Sequence, residues 1–518
     1  MTATRTIICI FTVLLLQANP SHSEEAGFGS IDFPNSGSPE AQDAFLDGVK
    51  ALHSFMFDEA RMAFEEAQRI DPSFALAYWG QAMSDNHPLW NQQDGAAAAS
   101  ALNRLAPTID GRLVKAPTEK EKAYISAIET LYFSADDKLD RDYAYTAQMA
   151  RMHERWPDDH EISVFYALSV LGTIRRGDQG YRRQALAASI CMDIYAQNQN
   201  HPGAAHFIIH SFDDPDHAIL ALDAAQVYAG IAPAASHALH MPSHIFVQLG
   251  MWQRVVDSNI EAYAAATAAI EKFGFTEGRE DFHTLSWLAY AYLMLGHDEI
   301  AAEKLAFAMQ AVERNEGNKR VMDGYLLMRG RHMVETGQWE NVELEAADSI
   351  AGSHAHWVSA IGMSAAHRGD ADTAVAAAER LQSLSDKAED GGKSYDARLI
   401  AILKLEVTAV TKLAAGDHAG AVLMAQEAAE MELKYMNAPS GPPLPMKPAA
   451  ELYADILLAT DRPGEAQVAY QRSLQWIPQR TPSIRGLAQS AAKAGDTETA
   501  NEMFAKLKNV PGANHGSR

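Results

Sequence analysis

The residues able to do chemistry are concentrated between His201 and Gly250, in HPGAAHFIIHSFDDPDHAILALDAAQVYAGIAPAASHALHMPSHIFVQLG. Two histidine clusters, His201/His206/His210 and His237/His240/His244, flank one helical segment. Pro202 suits the first position of a helix, where its missing N–H costs nothing. On that helix His206 and His210 are four apart and share a face, and Asp213 follows one turn later. His237, His240 and His244 are spaced three and four, again one face of a continuous helix. Pro242 interrupts it at a cost of about 3 kcal/mol. The helix is therefore either kinked beside the histidines or restarted near Pro242, with His237 and His240 on the incoming turn.

Imidazoles with a carboxylate form a donor set for zinc, copper, nickel or iron. The metal expectation is one transition-metal ion on His206, His210, His240 and His244. Asp213 would orient an imidazole or complete the shell, and His237 and His201 would stand behind it or serve as alternative ligands. Coordination needs deprotonated imidazole, so affinity should fall as pH drops through about 6.5. The competing expectation is a hydrogen-bonded groove without metal. With 20 histidines in the chain, some clustering is unsurprising, and a histidine at a helix interface is usually held by backbone. Taken singly, His87, His283, His354 and His356 read as structural. In NHPLW, His87 and Trp90 can wall a pocket with Trp79, so His87, Trp90, His201 and His283 are the expected lining of a ligand groove. Enzyme signatures are missing: there is no GxSxG elbow, phosphate loop, HExxH or dinucleotide glycine run after a strand. The expected function is a scaffold that binds a peptide, protein or small ligand in its concave groove; the alternative is a transition-metal-binding protein, or a metal-dependent enzyme, built on the His201–His244 clusters.

The elements that must position these residues are repeated helix pairs. In AFLDGVKALHSFMFDEARMAFEEAQRIDPS, Gly48, Ala60, Phe64, Ala67 and Pro72 fall at tetratricopeptide-repeat spacings, small residues where two antiparallel helices touch and a proline after the second. Gly296/Ala301/Leu305, Gly369/Ala374 and Gly416/Ala421 keep the same phase, as do Ala466/Tyr470/Pro478 and Gly495/Ala500/Phe504. Weaker copies lie at Pro157, Ala218, Gly250 and Gly337. Gly48, Ala60, Ala301, Ala374, Ala421 and Ala500 are thus expected at close helix contacts, where Ala301→Phe would overpack by roughly 1–3 kcal/mol. No period-two alternation is long enough for a sheet. The expected fold is an all-α superhelical solenoid of antiparallel helix pairs over 41–436. In such pairs the first helix lines the concave groove, which would face the two histidine clusters across it.

Two stretches break the array. Residues 86–117 leave the repeat phase and end at a helix cap of Thr118 with Glu121. NAPSGPPLPMKP, 437–448, is too proline-rich for a helix and reads as a stiff linker before a C-terminal repeat pair, 449–510. Residues 24–40, rich in Gly, Ser and Pro, read as a loose lead-in, and 511–518 as a tail. Arg5, the apolar run Thr6–Leu16 and Ser21-His22-Ser23 before Glu24 have the pattern of a signal peptide over 1–23, so an exported, periplasmic or secreted protein is expected. No later segment approaches the roughly 20 apolar residues of a membrane span.

Net charge is −24, and loss of Arg5 with the signal makes it −25. Without a compensating basic stripe, this charge argues against a nucleic-acid partner and leaves a protein or peptide as the expected one. Cys191, the one cysteine outside the signal, sits in the apolar pattern ALAASICMDIYAQ and is expected to be a buried, inert thiol.

The strings AYWGQAMSDNHPLWNQQ, HPGAAHFIIHSFDDPDHA, HALHMPSHIFVQLGMW and GPPLPMKP resemble those of an exported bacterial tetratricopeptide-repeat family, over nearly the whole mature chain. The resemblance implies the solenoid fold and singles out the histidine stretch as the site. It implies no reaction.

Overall fold

The computed structural model describes residues 27–274, 281–344, 354–508 and 510. The signal-like segment 1–23 and the tail 511–518 lie outside the described residues. The chain is an all-α solenoid of antiparallel helix pairs of tetratricopeptide-repeat type. Regular pairs include Gln42–His53 with Phe57–Ile70, Phe282–Met294 with Asp298–Arg314, Ser394–Ala414 with His418–Tyr435, and Thr481–Ala494 with Thr497–Lys508. Among the described residues no helix is long and apolar enough to cross a membrane.

The repeat phase follows from close packing. Ala60, Ala301, Ala374, Ala421 and Ala500 are all buried. At Gly48 a Cβ would come 2.8 Å from the Phe64 ring, and at Gly80 2.3 Å, so one phenylalanine fills the gap between two helix pairs. Gly369 and Gly495 end their helices at φ 78° and 85°, a conformation that a Cβ would strain. Ala301 also lines a cavity, so Ala301→Phe has room to grow into and is a poor probe of packing. Gly80→Ala is the better one. It should lower stability by about 1–3 kcal/mol in urea unfolding, because both Phe64 and the helix must shift. An unchanged midpoint would contradict this packing.

Three segments differ from expectation. Residues 27–40 are not a loose lead-in: Phe33 is buried, with ring centroids 5.3, 5.9 and 5.2 Å from Phe45, Trp79 and Tyr124. The 86–117 insertion is largely helical, with a two-residue antiparallel ladder (Asn86–His87 against Gln92–Gln93) followed by helices Gly95–Leu105 and Ile109–Lys115. It ends at the capping box of Thr118 and Glu121. The proline-rich 437–448 is a docked strap rather than a spacer. Its Pro439 carbonyl accepts from Gln248 Nε2 at 2.8 Å and its Pro443 carbonyl from Arg331 Nη2 at 2.8 Å, while Gly441 lies flat on Trp287, where a Cβ would be 2.2 Å from the ring. Extended proline-rich chain suits this place because it leaves carbonyls free to accept and needs few donors.

The superhelix closes on itself through buried polar contacts. Arg480, just before Thr481–Ala494, reaches back to Tyr290, Glu335 and Glu451. The helices over 449–508 are thereby fastened to the middle of the solenoid. Cys191 is buried, and burial pushes its thiol far above the usual range.

Candidate metal centre

Three consecutive helix pairs supply the histidines from their first helices. Pro202–Ser211 carries His206 and His210, Ser236–His240 with Pro242–Gln248 carries His237, His240 and His244, and Phe282–Met294 carries His283. Pro242 begins its own short helix, and Met241 between the two keeps helical dihedrals (φ −54°, ψ −35°). The chain thus restarts without leaving the helix direction, and the three histidines stay together.

The six imidazoles form two triads. His206, His210 and His237 bring one ligand atom each within 4.8 Å of one another, and so do His240, His244 and His283. The triads adjoin: ring centroids of His210 and His244 are 6.0 Å apart, and those of His237 and His240 6.2 Å. This differs from the expected single ion on His206, His210, His240 and His244, which the fold divides two and two. His237 completes the first triad and His283 the second, although His283 was expected in a ligand groove. Asp213 is not in either triad; its Oδ2 accepts from His244 Nδ1 at 2.6 Å.

Hydrogen bonds on the far side of the ring fix the tautomers of His206, His240 and His244. His206 Nδ1 lies 2.6 Å from the His53 carbonyl, which can only accept, so Nδ1 carries the proton and Nε2 a lone pair. His240 Nδ1 is 2.6 Å from Asn259 Oδ1, and the Asn259 amide is oriented by Nδ2 donating to the Val255 carbonyl at 2.7 Å. His244 Nδ1–H is held by Asp213. Lone pairs on Nε2 of His240 and His244 therefore face each other at 3.2 Å, with His283 Nε2 2.9 Å from His240 Nε2. In the first triad Nε2 of His206, His210 and His237 are all buried without a hydrogen-bond partner. Buried polar atoms are seldom left so.

Burial lowers the pKa of His206, His210, His237 and His240 well below the usual value, and neighbouring imidazoles lower them further. His283 is exposed on the side of a cavity, and the protein packed around its ring lowers its pKa to about 4. The lone pairs of these five imidazoles are thus available at neutral pH and below.

Aromatic rings enclose the first triad. Phe55 sits at φ 54°, a conformation L side chains rarely adopt, with its ring 4.4 Å from His206 and 5.6 Å from both His210 and His237. Strain of this kind persists where the surroundings over-determine it. Trp287 stacks beside the second triad, 4.4 Å from His244. A cavity of about 510 Å³ reaches His283 and Trp287, and one of about 1180 Å³ reaches His210 and Asp213; Trp90 lines both.

The other expected groove residues lie elsewhere. His87 stacks on Phe57 at 3.9 Å, packed by the short ladder rather than lining either cavity. His201 is buried in a third cluster, its Nε2 3.1 Å from Glu161 Oε1, with His53 Nε2 2.7 Å from Glu161 Oε2. His201 caps its helix through Nδ1, which accepts from the Ala204 N–H, so its Nε2 carries the proton and donates to the carboxylate. Burial would raise Glu161, but the two histidines outweigh it and hold it at about 2. The ligand atoms of this cluster also lie within 4.8 Å of one another, but here the His201 N–H points inward onto the carboxylate, unlike the lone pairs of the two triads, and His53 Nδ1 is buried without a hydrogen-bond partner. His53, Glu161 and Asn259 carried no local sequence signal, since each acts only through contacts made in the folded chain.

No family model matches the chain, and no curated protein matches it. Similar solved structures include the TPR domain of P58(IPK), at 13% identity, covering 89% of this chain and 99% of that one, with a TM-score of 0.23. Yeast Tom70 is 10% identical over 90% of this chain and 92% of that one, with a TM-score of 0.33. The human IFIT1 dimer with m7Gppp-AAAA is 11% identical over 93% and 90%, with a TM-score of 0.30.

Proposed function

We propose that this protein binds two copper ions, one on His206, His210 and His237 and one on His240, His244 and His283. One observation carries the reading: ring nitrogens of three imidazoles converge in each triad, with acceptors behind His206, His240 and His244 that turn their Nε2 lone pairs inward and no hydrogen-bond partner for Nε2 of His206, His210 and His237. A cation relieves that repulsion and satisfies the orphaned nitrogens together. Three imidazoles per ion, with no carboxylate or thiolate among them, suit zinc and copper alike, and copper(II) stands above zinc in the divalent affinity series. Burial also favours the monovalent ion, which brings half the charge of zinc or nickel into a low-dielectric site. An ion on His240, His244 and His283 would have three protein ligands and an open position toward the cavity, as catalytic metals do.

The test is titration calorimetry of untagged, chelator-stripped protein with copper(I), copper(II), zinc, nickel and iron(II), alongside elemental analysis. Two copper ions per chain, held more tightly than the others, are expected. No saturable uptake, or one ion per chain, overturns the reading, and tighter zinc overturns the choice of metal.

A protein or peptide partner on the solenoid surface is the second reading, favoured by a specific patch. Ile219, Leu220 and Val227 are 60, 55 and 42% exposed along one segment, the sort of apolar surface that partners cover. Ile219→Asp with Leu220→Asp should abolish co-purification of a stoichiometric partner while copper content stays unchanged. Equal recovery with both forms would remove this reading. The absence of a nucleic-acid partner rests on charge alone. Export is part of the proposal, on the signal-like pattern before Glu24, and N-terminal sequencing that found Met1 retained would exclude it.

A further inference from the structure

The 510 Å³ cavity beside His283 is also lined by Arg331, His332 and Arg176, with Leu305, Leu327 and Leu399 on its apolar walls. Its volume falls in the range of small-molecule sites. Arg331, on the helix Lys319–Thr336, is only 5% exposed. Its Nη2 donates to the Pro443 carbonyl of the strap at 2.8 Å, and its guanidinium lies over the Tyr290 ring at 5.2 Å. Its Nη1 is buried with no acceptor. The carboxylate best placed to pair with it, Glu335, is held by Arg480 through Nη1 and Nη2 at 2.9 and 2.8 Å. A buried guanidinium N–H without an acceptor costs stability, more than a neutral donor would. His332 Nε2, on the same wall, also has no partner.

Such a cavity asks for an anionic oxygen on an otherwise apolar molecule. One guanidinium matches a single negative charge, and Arg176, 77% exposed at its side chain and paired with Asp396 at 3.6 Å, stands on the solvent side. A dianion would leave a charge unmatched among leucines. We propose that the cavity binds a small monocarboxylate with an aliphatic or aromatic body, its carboxylate on Arg331 and its body against the leucines and Trp287, beside the second metal ion. Its position next to an ion rests on the copper reading, whereas the carboxylate site does not. The strap then has a function in binding. Pro443 holds Arg331 in place, and Gly441 lets the chain lie against Trp287 to form one wall.

Titration calorimetry with octanoate and 4-phenylbutyrate, on full-length protein both chelator-stripped and copper-loaded, tests this, with 1-octanol as the uncharged control. One carboxylate per chain is expected in both forms, and octanol should bind at least tenfold more weakly. Arg331→Met should weaken octanoate at least tenfold while melting temperature and copper stoichiometry hold. Leu399→Trp, which fills the cavity without removing the guanidinium, should abolish binding as well. No saturable binding, equal affinity for octanol, or unchanged affinity in Arg331→Met overturns the inference. Carboxylate binding without copper uptake keeps this inference and removes the copper reading; copper uptake without carboxylate binding does the reverse.

Discussion

Copper uptake falls from two ions per chain to one in the double variant His206→Ala/His237→Ala, and again to one in His240→Ala/His283→Ala. Each pair removes two of three ligands from one triad and none from the other, so the losses should be separable by elemental analysis. The triads do not share a ligand, but they are close enough to feel each other's charge: the ring centroids of His210 and His244 are 6.0 Å apart. Asp213→Asn should leave two ions bound and weaken the second site by about 10–100-fold, the usual cost of losing an acceptor behind a ligating imidazole. Equal loss at both sites in either double variant would show a single shared centre and sink the two-ion reading.

The pH dependence has a definite sign. Burial lowers the folded-state pKa of His206, His210, His237 and His240 well below 6.5, and that of His283, exposed beside the cavity, is lowered to about 4. Well above pH 6.5 these five histidines are neutral in both folded and unfolded chains. Between 6.5 and about 4 the unfolded chain takes up protons that the folded one refuses, so the apo protein loses stability as pH falls through that window. Copper affinity should therefore hold through pH 6.5 and fall below it, at lower pH than free histidine would give. Urea midpoints of the apo protein at pH 7 and pH 5, with copper titrations at the same values, check both statements. A midpoint that does not drop would contradict them.

Arg480→Ala should destabilise the fold by about 3–5 kcal/mol, the cost of leaving buried partner charges uncompensated. Arg480 is fully buried, with Nε and Nη2 on Glu451 at 2.7 and 2.9 Å, a second pair of bonds to Glu335, and Nη1 3.1 Å from the Tyr290 hydroxyl. Glu335 and Glu451 are themselves 3% and 0% exposed at their side chains. Truncation removes the cation and leaves both carboxylates in place, with Lys447, 3.0 Å from Glu451, and Arg331, one helical turn from Glu335, to compensate in part. Burial would raise Glu451, but Arg480 and Lys447 outweigh it and hold it far below its usual 4.5. The stabilisation is thus present above pH 4.5 and lost only as pH falls toward that depressed value. Urea unfolding with limited proteolysis should show the 449–508 helices released first. A variant with the wild-type midpoint would mean that the clamp contributes nothing.

Tetratricopeptide architecture was legible in the sequence because its causes are local. The spacing from Gly48 through Ala60 and Phe64 to Pro72 encodes where two neighbouring helices can touch, and every pair repeats the same short-range rule. The HxxxH spacing of His206 and His210, and the three-and-four spacing around Pro242, were legible for the same reason: a helix sets which side chains share a face within one or two turns. The grouping of those histidines was not. His283 joins His240 and His244 only because the superhelix lays consecutive first helices side by side, and taken alone it looked like any structural histidine. His201 is one position before Pro202 and belongs to the first cluster in sequence, yet helix capping by its Nδ1 turns its other nitrogen toward Glu161 instead. Asn259 and the His53 carbonyl, which set the tautomers, come from other helices altogether. The strap 437–448 shows the same limit from the other side. Its composition ruled out a helix, but only the free carbonyls of Pro439 and Pro443, meeting Gln248 and Arg331 across the fold, made it a wall of the site. Short-range periodicity sets which faces exist; the curvature of the solenoid decides which of those faces meet.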